Sequence, residues 1–287
     1  FFCVVTNGAN YAISGTGYAV YGPGVRLANG GWINIAPANL GADQSKSVEY
    51  QIAYTPITTN LTVKDAAYDP TVYGDWYQWG RKKDGHEKRD VAPAGTSDAY
   101  LNTEKGVPTD SLDENGQVKS EFSFFSKFIQ RNAGTNDWRQ YPEDDVNSAV
   151  SPAKAWTWDN PDLDPCSELN EAGTAGVTTW RVPTQSEWAQ IQGSNTWVWS
   201  AGGVEGTSGY MVKPGGLNKP TSLFLPAAGA HSRNGGAQNS VGSNGYYWSS
   251  MITSTSSYIL YFTSGSIGAA NTYTRSSGCT VRCVSEY

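Results

Sequence analysis

The sequence predicts an α+β fold with few helices, short strands and many loops. Three observations carry this. Apolar and aromatic runs of four to seven residues recur between Gly, Pro, Asn and Ser clusters, as in Tyr18 to Tyr21, Trp32 to Ile35, Val48 to Tyr54 and Trp76 to Trp79. Gly and Pro contribute 32 and 14 of the 287 residues, enough for frequent turns, while charged residues are only 16%. That composition fits neither a charged disordered chain nor a long-helix protein. Helical signals, the third observation, are confined to two places.

The clearer one begins at Pro183-Thr184-Gln185-Ser186-Glu187, where Thr184 can cap the first turn and Glu187 can reach back to it. Trp188 and Ile191 then share a face, and Gly193 ends the helix. A second helix is expected from about Glu121 to Arg131, with Phe124, Phe125, Phe128 and Ile129 as an apolar stripe directed to the core and Gly134 as a stop.

The chain is long enough for a substantial core, and residues 1–287 are expected to form one domain. Residues 84–164 are polar and carry Asp110, Asp113, Glu114, Glu143, Asp144, Asp145, Asp159, Asp162 and Asp164, the composition of a loop-rich insertion. The composition changes again over 226–287. This tail has no Lys and four charged residues, Arg233, Arg275, Arg282 and Glu286, but 13 Ser and 8 aromatics, unlike an ordinary solvated surface.

A net charge of -6 provides no basic field for phosphate backbones, so no nucleic-acid partner is expected. The run Arg81, Lys82, Lys83, Lys88, Arg89 is interleaved with Asp84, Glu87 and Asp90 and predicts a solvated loop. No apolar stretch reaches the roughly 20 residues of a membrane-crossing helix. The sequence starts at Phe1, which leads to the expectation that a targeting or processing segment precedes it.

Catalytic patterns are absent. There is no G-x-S-x-G and no phosphate cradle, and of the two imidazoles, His86 and His231, His86 is expected to be an exposed bystander in a charged turn. The stretch Asp113-Glu114-Asn115-Gly116 begins like a calcium loop, yet Ser111 stands at the first ligand position and Phe122 where a bidentate Glu is required. No catalytic residue, metal ligand or cofactor is expected. Cys3, Cys166, Cys279 and Cys283 allow three fully paired connectivities, and secreted disulfides are favoured over a zinc site or buried thiols. A bridge from Cys166 to either late cysteine would contribute about 4 to 5 kcal/mol in the chain-entropy model. Cys279 and Cys283, four apart, would lie about 13 Å from each other on a strand and would not bond to each other without a bulge.

Tyr258 to Thr263 alternates so that Leu260 and Phe262 share one face, with Trp248 beneath, and Ile259, Tyr261 and Thr263 share the other. The second face is either displayed for contact or buried like the first.

Gly30-Gly31-Trp32-Ile33-Asn34 to Asn39-Leu40-Gly41, Gly74-Asp75-Trp76-Tyr77-Gln78-Trp79-Gly80-Arg81, Trp180-Arg181-Val182-Pro183-Thr184 to Glu187-Trp188, and Gly278 to Cys283-Val284 resemble the bacterial major paralogous domain family. That family has the C-type lectin fold and is distantly related to formylglycine-generating enzymes. From Leu225-Pro226-Ala227-Ala228-Gly229 through Val241-Gly242, Asn244-Gly245, Tyr247-Trp248-Ser249-Ser250 and Val281-Arg282-Cys283-Val284, the chain is similar to gut-bacterial variable proteins of diversity-generating retroelements. The resemblance implies the lectin fold of the formylglycine-generating subtype, with short twisted antiparallel strands. It also implies a surface-displayed receptor whose residues 226–287 are rewritten by adenine-directed mutagenesis.

Under this resemblance Ile259, Tyr261 and Thr263 become a displayed face. The same logic assigns Asn271, Thr272, Tyr273, Thr274, Ser276 and Ser277, and by carry-over Ser232, Arg233, Tyr246 and Ser266, to the variable ligand-binding surface. Tyr supplies large area at low rotamer cost and Ser or Thr adaptable hydrogen bonds, the mixture found in antibody loops. The implied partner is a macromolecule, a protein first and a glycan second. The implied location is extracellular or the cell surface, through a lipid anchor or on a phage virion. Cys279 stands where the family usually has Phe; it either bridges to Cys3, leaving Cys166 with Cys283, or is an isolated thiol. Two alternatives accompany this: a copper-dependent thiol oxidase of the formylglycine-generating type using Cys279 and Cys283, and an adhesive fimbrial tip subunit.

Overall fold

The computed structural model describes residues 24–36, 38–42, 52–53, 73–89, 100–102, 107, 109–130, 137–139, 163–170, 180–204, 207–214, 222–233, 238–253 and 256–286. The expected strand Tyr18 to Tyr21 and Cys3 lie outside these residues, as does most of Val48 to Tyr54. Within them the fold is α+β, with few short helices and several antiparallel sheets, none closed into a barrel.

The first sheet joins strands from both ends of the chain. β1 (Gly24–Arg26) pairs with β2 (Trp32–Ile35), and β2 pairs on its other side with β16 (Val284–Glu286). A second sheet has the order β3 (Ile52–Ala53), β9 (Ser222–Pro226), β8 (Thr207–Pro214), β7 (Asn195–Val204). The third, order β11 (Gln238–Asn239), β10 (Ala230–His231), β15 (Gly278–Cys279), β4 (Tyr77–Gln78), ties the Trp76 to Trp79 segment to the end of the chain. The fourth is the meander β12 (Gly245–Ile252), β13 (Ser257–Thr263), β14 (Ser266–Tyr273). A short parallel pair, β5 (Tyr100–Asn102) and β6 (Phe128–Gln130), lies within residues 84–164.

Helix α1 (Gln185–Ser194) forms where the capping box places it. Thr184 Oγ1 accepts the Glu187 N–H, and Glu187 accepts the Thr184 N–H at 2.8 Å while pairing with Arg181 at 2.5 and 2.8 Å. Trp188 and Ile191 are fully buried, and Gln192 lays its amide along β14, donating to Ile267 O and accepting from Ala269 N. A side-chain amide thus occupies hydrogen-bonding groups that an outer strand would otherwise recruit.

The second helix does not form. Residues 121–127 make turns and Phe128–Gln130 is a strand, because Phe124 and Phe125 serve a separate cluster with Val107, Val118, Ile129 and Trp138, while the Phe128 ring lies 3.8 Å from that of His231. Tertiary packing overrides the helical spacing there. The basic run is also only partly solvated. Lys82, Lys83 and Lys88 are exposed, but Arg81 is buried against Gln78 Oε1, Lys127 O and Asp84, and Arg89 lies 3.6 Å over the Trp76 ring.

Two cores flank the meander. One face of it carries Tyr247, Leu260, Phe262 and Ala269 into a core with Trp188, Ile191, Val212, Leu225 and Val284. The other contributes Trp248 and Ile259 to a core with Trp79, Trp180, Cys279, Val281 and the Cys166–Cys283 disulfide. Trp248 therefore packs against Ile259, on the opposite side from Leu260 and Phe262. The cause is the chain at 279–281, which runs beside β12 with Trp248 N–H donating to Thr280 O and Thr280 N–H to Tyr246 O.

Candidate functional site: a tyrosine cluster on the meander

Residues paired across antiparallel strands share a sheet face. Tyr246 opposes Tyr261, Trp248 opposes Ile259, Ser257 opposes Tyr273, Ile259 opposes Asn271, Tyr261 opposes Gly268, and Thr263 opposes Ser266. Of the residues assigned from sequence, Tyr246, Ile259, Tyr261, Thr263, Ser266, Asn271 and Tyr273 thus lie on one face. A shift of register between Ile259 and Tyr261 inserts one extra residue into β14 at Ala269 and Ala270, keeping both Gly268 and Asn271 on it.

This face is half covered. At the Trp248 and Ile259 level it is sealed, and Ile259 is 1% exposed, so its expected display is corrected: residues 279–281 and the Trp248 ring lie over it. Thr272 is exposed but belongs to the opposite face, opposing Tyr258. Ser276 and Ser277 are buried too, because the chain after Tyr273 turns inward. Ser277 N–H donates to Thr274 O, and the Thr274 and Ser277 hydroxyls bond at 2.7 Å.

Beyond the sealed half, three phenol rings stand together. Tyr246 lies 5.0 Å from Tyr261 and 5.2 Å from Tyr273, and Tyr273 lies 6.4 Å from Trp248 at the boundary of the core. Each ring is half-buried. Asn244 Nδ2 sits 3.4 Å from the Tyr246 hydroxyl and 3.2 Å from that of Tyr261, fixing the pair. Burial and the bond to Tyr246 raise the Tyr261 phenol above its ordinary range, and burial, with Cys279 and Tyr246 nearby, raises that of Tyr273. Arg233 is half-buried and close enough to Tyr273 to act on its hydroxyl, and Ser232 precedes it at the end of β10. Thr263 is half-buried, and Ser266 and Asn271 are exposed.

Asn244 and Gly268 belong to this site and were not among the residues assigned from sequence. Asn244 was legible, standing two residues before Tyr246, the spacing that returns a side chain to the same face. Gly268 was not, since its register depends on the bulge. Gly245 between them has a packing reason: a Cβ there would lie 2.1 Å from the Phe262 ring beneath.

Buried polar residues distant in sequence hold the chain that follows the cluster. Asp137, buried, accepts from Arg275 Nε at 2.5 Å and from Arg139 Nε at 3.1 Å, and Arg275 Nη1 donates to Ser256 O at 2.9 Å. Gln78 Nε2 bonds both Ile129 O and Ser276 O at 2.8 Å. The turn between β12 and β13 and the segment after Tyr273 are therefore fastened to the same buried carboxylate and amide.

Asp84, His86 and Glu87 bring ligand-type atoms within 4.8 Å of one another, and His86 is buried, contrary to the exposed position expected. Its Nε2 accepts the Gln78 N–H at 3.1 Å, so Nδ1 keeps its proton and donates to Asp84 Oδ1 at 2.6 Å. A metal on Nδ1 would require an imidazolate. Burial and the Arg81 cation lower the His86 basicity, and despite burial the Arg81 and His86 partners hold the Asp84 carboxyl far below the usual range. The cluster fits a neutral imidazole closing a turn better than a metal centre.

Cys166 and Cys283 are bridged, and Cys279 is a buried free thiol that burial pushes up, the isolated thiol of the two expectations for it. The bridge also removes Cys283 from the thiol pair required by the oxidase alternative. Among the described residues no helix is long and apolar enough to cross a membrane. A family model described only as a domain of unknown function, DUF8237, matches residues 216–284, the stretch that holds the meander and the tyrosine cluster. No curated protein and no solved structure matches the chain.

Proposed function

We propose that this protein binds a macromolecular partner, a protein in the first place, through the open half of the meander face. On this reading Tyr246, Tyr261 and Tyr273 form the centre, with Thr263, Ser266, Asn271, Ser232 and Arg233 around them. The scaffold is a C-type lectin fold of the formylglycine-generating subtype, and residues 226–287 are the region that a retroelement rewrites. The observation that carries this is the cluster itself: Tyr246 in contact with both Tyr261 and Tyr273, all three half-buried, next to exposed Ser266 and Asn271, over a meander whose opposite face packs Tyr247, Leu260 and Phe262 into a core. Rigid aromatic area beside small polar groups is the composition of an adaptable binding surface. A disulfide-linked core favours an extracellular or cell-surface setting.

The experiment is to sequence the DNA flanking the gene. A near-copy of the codons for 226–287, beside a reverse transcriptase, is expected to differ at adenines in the codons of Tyr261, Thr263 and Asn271 but not of Ile259 or Leu260. Absence of any such copy, or differences spread equally over buried and exposed codons, would refute the proposal.

A further inference from the structure

Two carboxylates converge on one amine beside β4. Trp76 N–H donates to Glu87 O at 2.8 Å, and this backbone bond sets Asp75 and Lys88 next to each other. Lys88 Nζ lies 2.7 Å from Asp75 Oδ2. An amine that close to a carboxyl oxygen stands about 3.5 Å from the carboxyl carbon, the separation of a near-attack pair. The fold leaves room for this placement. Gly41, at φ +78°, lies against the Asp75 carboxyl, where a Cβ would fall 2.0 Å from Oδ2.

The third group is Glu87, which is 1% exposed. Its Oε2 accepts from Gly85 N at 2.9 Å and from Asp84 N at 3.3 Å, which fixes the carboxylate. Its Oε1 is buried without a hydrogen bond and faces Lys88 Nζ at 3.8 Å. A buried acceptor left unsatisfied is costly, and a plain ion pair between Lys88 and Asp75 has no need of it. Beside an amine it is a place for a proton.

We propose that Lys88 and Asp75 join in an isopeptide bond, with Glu87 as the proton carrier. The reaction is a condensation and needs no oxidant, reductant or cofactor. The Lys88 nitrogen attacks Asp75 Cγ with its lone pair, a C–N bond forms, and one Cγ–O bond breaks with its electron pair going to the oxygen. Glu87 Oε1 takes two protons from the nitrogen in turn and passes each to the departing oxygen. Water leaves, the amide is neutral, and Glu87 ends as it began. Burial raises the Asp75 carboxyl above its ordinary range despite Lys88, which favours the protonated acid that the attack requires. Burial lowers the basicity of Lys88, yet the bond to Asp75 raises it further, so the amine starts charged and the Glu87 oxygen is needed to unload it. Holding the groups together at effective concentrations on the order of 10⁵ to 10⁸ M opposes the hydrolysis that bulk water favours. The Lys88 side chain is 45% exposed, which gives the water a way out. The product closes residues 75–88 into a covalent ring that braces β4 where it pairs with β15.

The test is the intact mass of the purified full chain after reduction and denaturation. It is expected to fall one water short of the mass of the sequence, and a tryptic digest should hold residues 84–89 joined to residues 65–81, since an acylated Lys88 resists cleavage. Lys88→Arg, which keeps the charge, and Glu87→Gln should each restore the full mass. Full mass for the parent chain would overturn the proposal and leave an ion pair only. A water loss that survives Lys88→Arg would overturn it as well, because it would belong to a cyclic imide at Asp84-Gly85.

Discussion

Replacing Cys166 and Cys283 together by Ala is expected to lower the folding free energy by about 4 to 5 kcal/mol. The bridge spans 117 positions, so opening it releases a long loop in the unfolded chain. In the folded protein it joins a 3-10 turn at Pro165–Asn170 to the start of β16, where Cys283 O also accepts the Ala36 N–H. Both sulfurs lie in the core beneath the tyrosine cluster, and their loss adds a cavity to the entropic effect. Asp164 beside them accepts from Cys166 N and Val182 N, yet burial pushes its carboxyl up to about 6. A carboxyl raised on folding contributes most at low pH and loses that contribution as pH rises from about 4 through 6. Urea unfolding of both proteins at pH 7.5, above that window, isolates the bridge. A loss below about 1 kcal/mol would contradict this account of it.

Asp137→Asn is expected to destabilise by about 3 to 5 kcal/mol, because it takes from buried Arg275 the carboxylate that pairs with its Nε and from Arg139 the same carboxylate. The effect should reach the binding face. Arg275 holds Ser256 O and Thr253 O through Nη1, and its own carbonyl accepts the Trp79 N–H. Once its carboxylate is lost, amide protection at Ser277 and at the β12 to β13 turn should fall together. Combining Asp137→Asn with Arg275→Met should cost less than the sum of the two single changes, with a coupling of about 1 to 3 kcal/mol. Strict additivity would show that the pair does not act as a unit.

The local signals in the sequence were faithful where one short motif decided the outcome. The Thr184 and Glu187 box, the Trp32 to Ile35 strand and the alternation from Tyr258 to Thr263 all appear as structure. The failures share a cause, which is a long-range neighbour. Phe124 and Phe128 have helical spacing, but Trp138 and Val107 draw Phe124 into one packing while His231 takes the Phe128 ring into another. Arg81 and Arg89 read as solvated charges until Trp138, Trp76 and the backbone carbonyls that receive them are known.

For the site, alternation correctly separated Leu260 and Phe262 from Ile259 and Tyr261. It could not show that residues 279–281 cover the second face at Ile259 and stop short of Tyr261. The buried expectation for that face therefore holds at Ile259, while Tyr261 and Thr263 further along the strand are half-buried. Likewise Ser276 and Ser277 come shortly after the exposed stretch Ala270 to Thr272, and only the turn between Thr274 and Ser277 takes the chain inside.

The open half of the meander face is expected to tolerate change that the scaffold does not. The most direct measurement is the melting temperature of a variant carrying Tyr261→Ser, Thr263→Ala, Ser266→Ala and Asn271→Ala together, beside the single variant Ile259→Ala. Exposed and half-open positions contribute little, so the fourfold variant should melt within about 5 °C of the parent. Ile259→Ala should lose about 2 to 5 kcal/mol as a core cavity. A fourfold variant that melts as low as Ile259→Ala would contradict the claim, since those side chains would then be part of the fold they are meant to decorate.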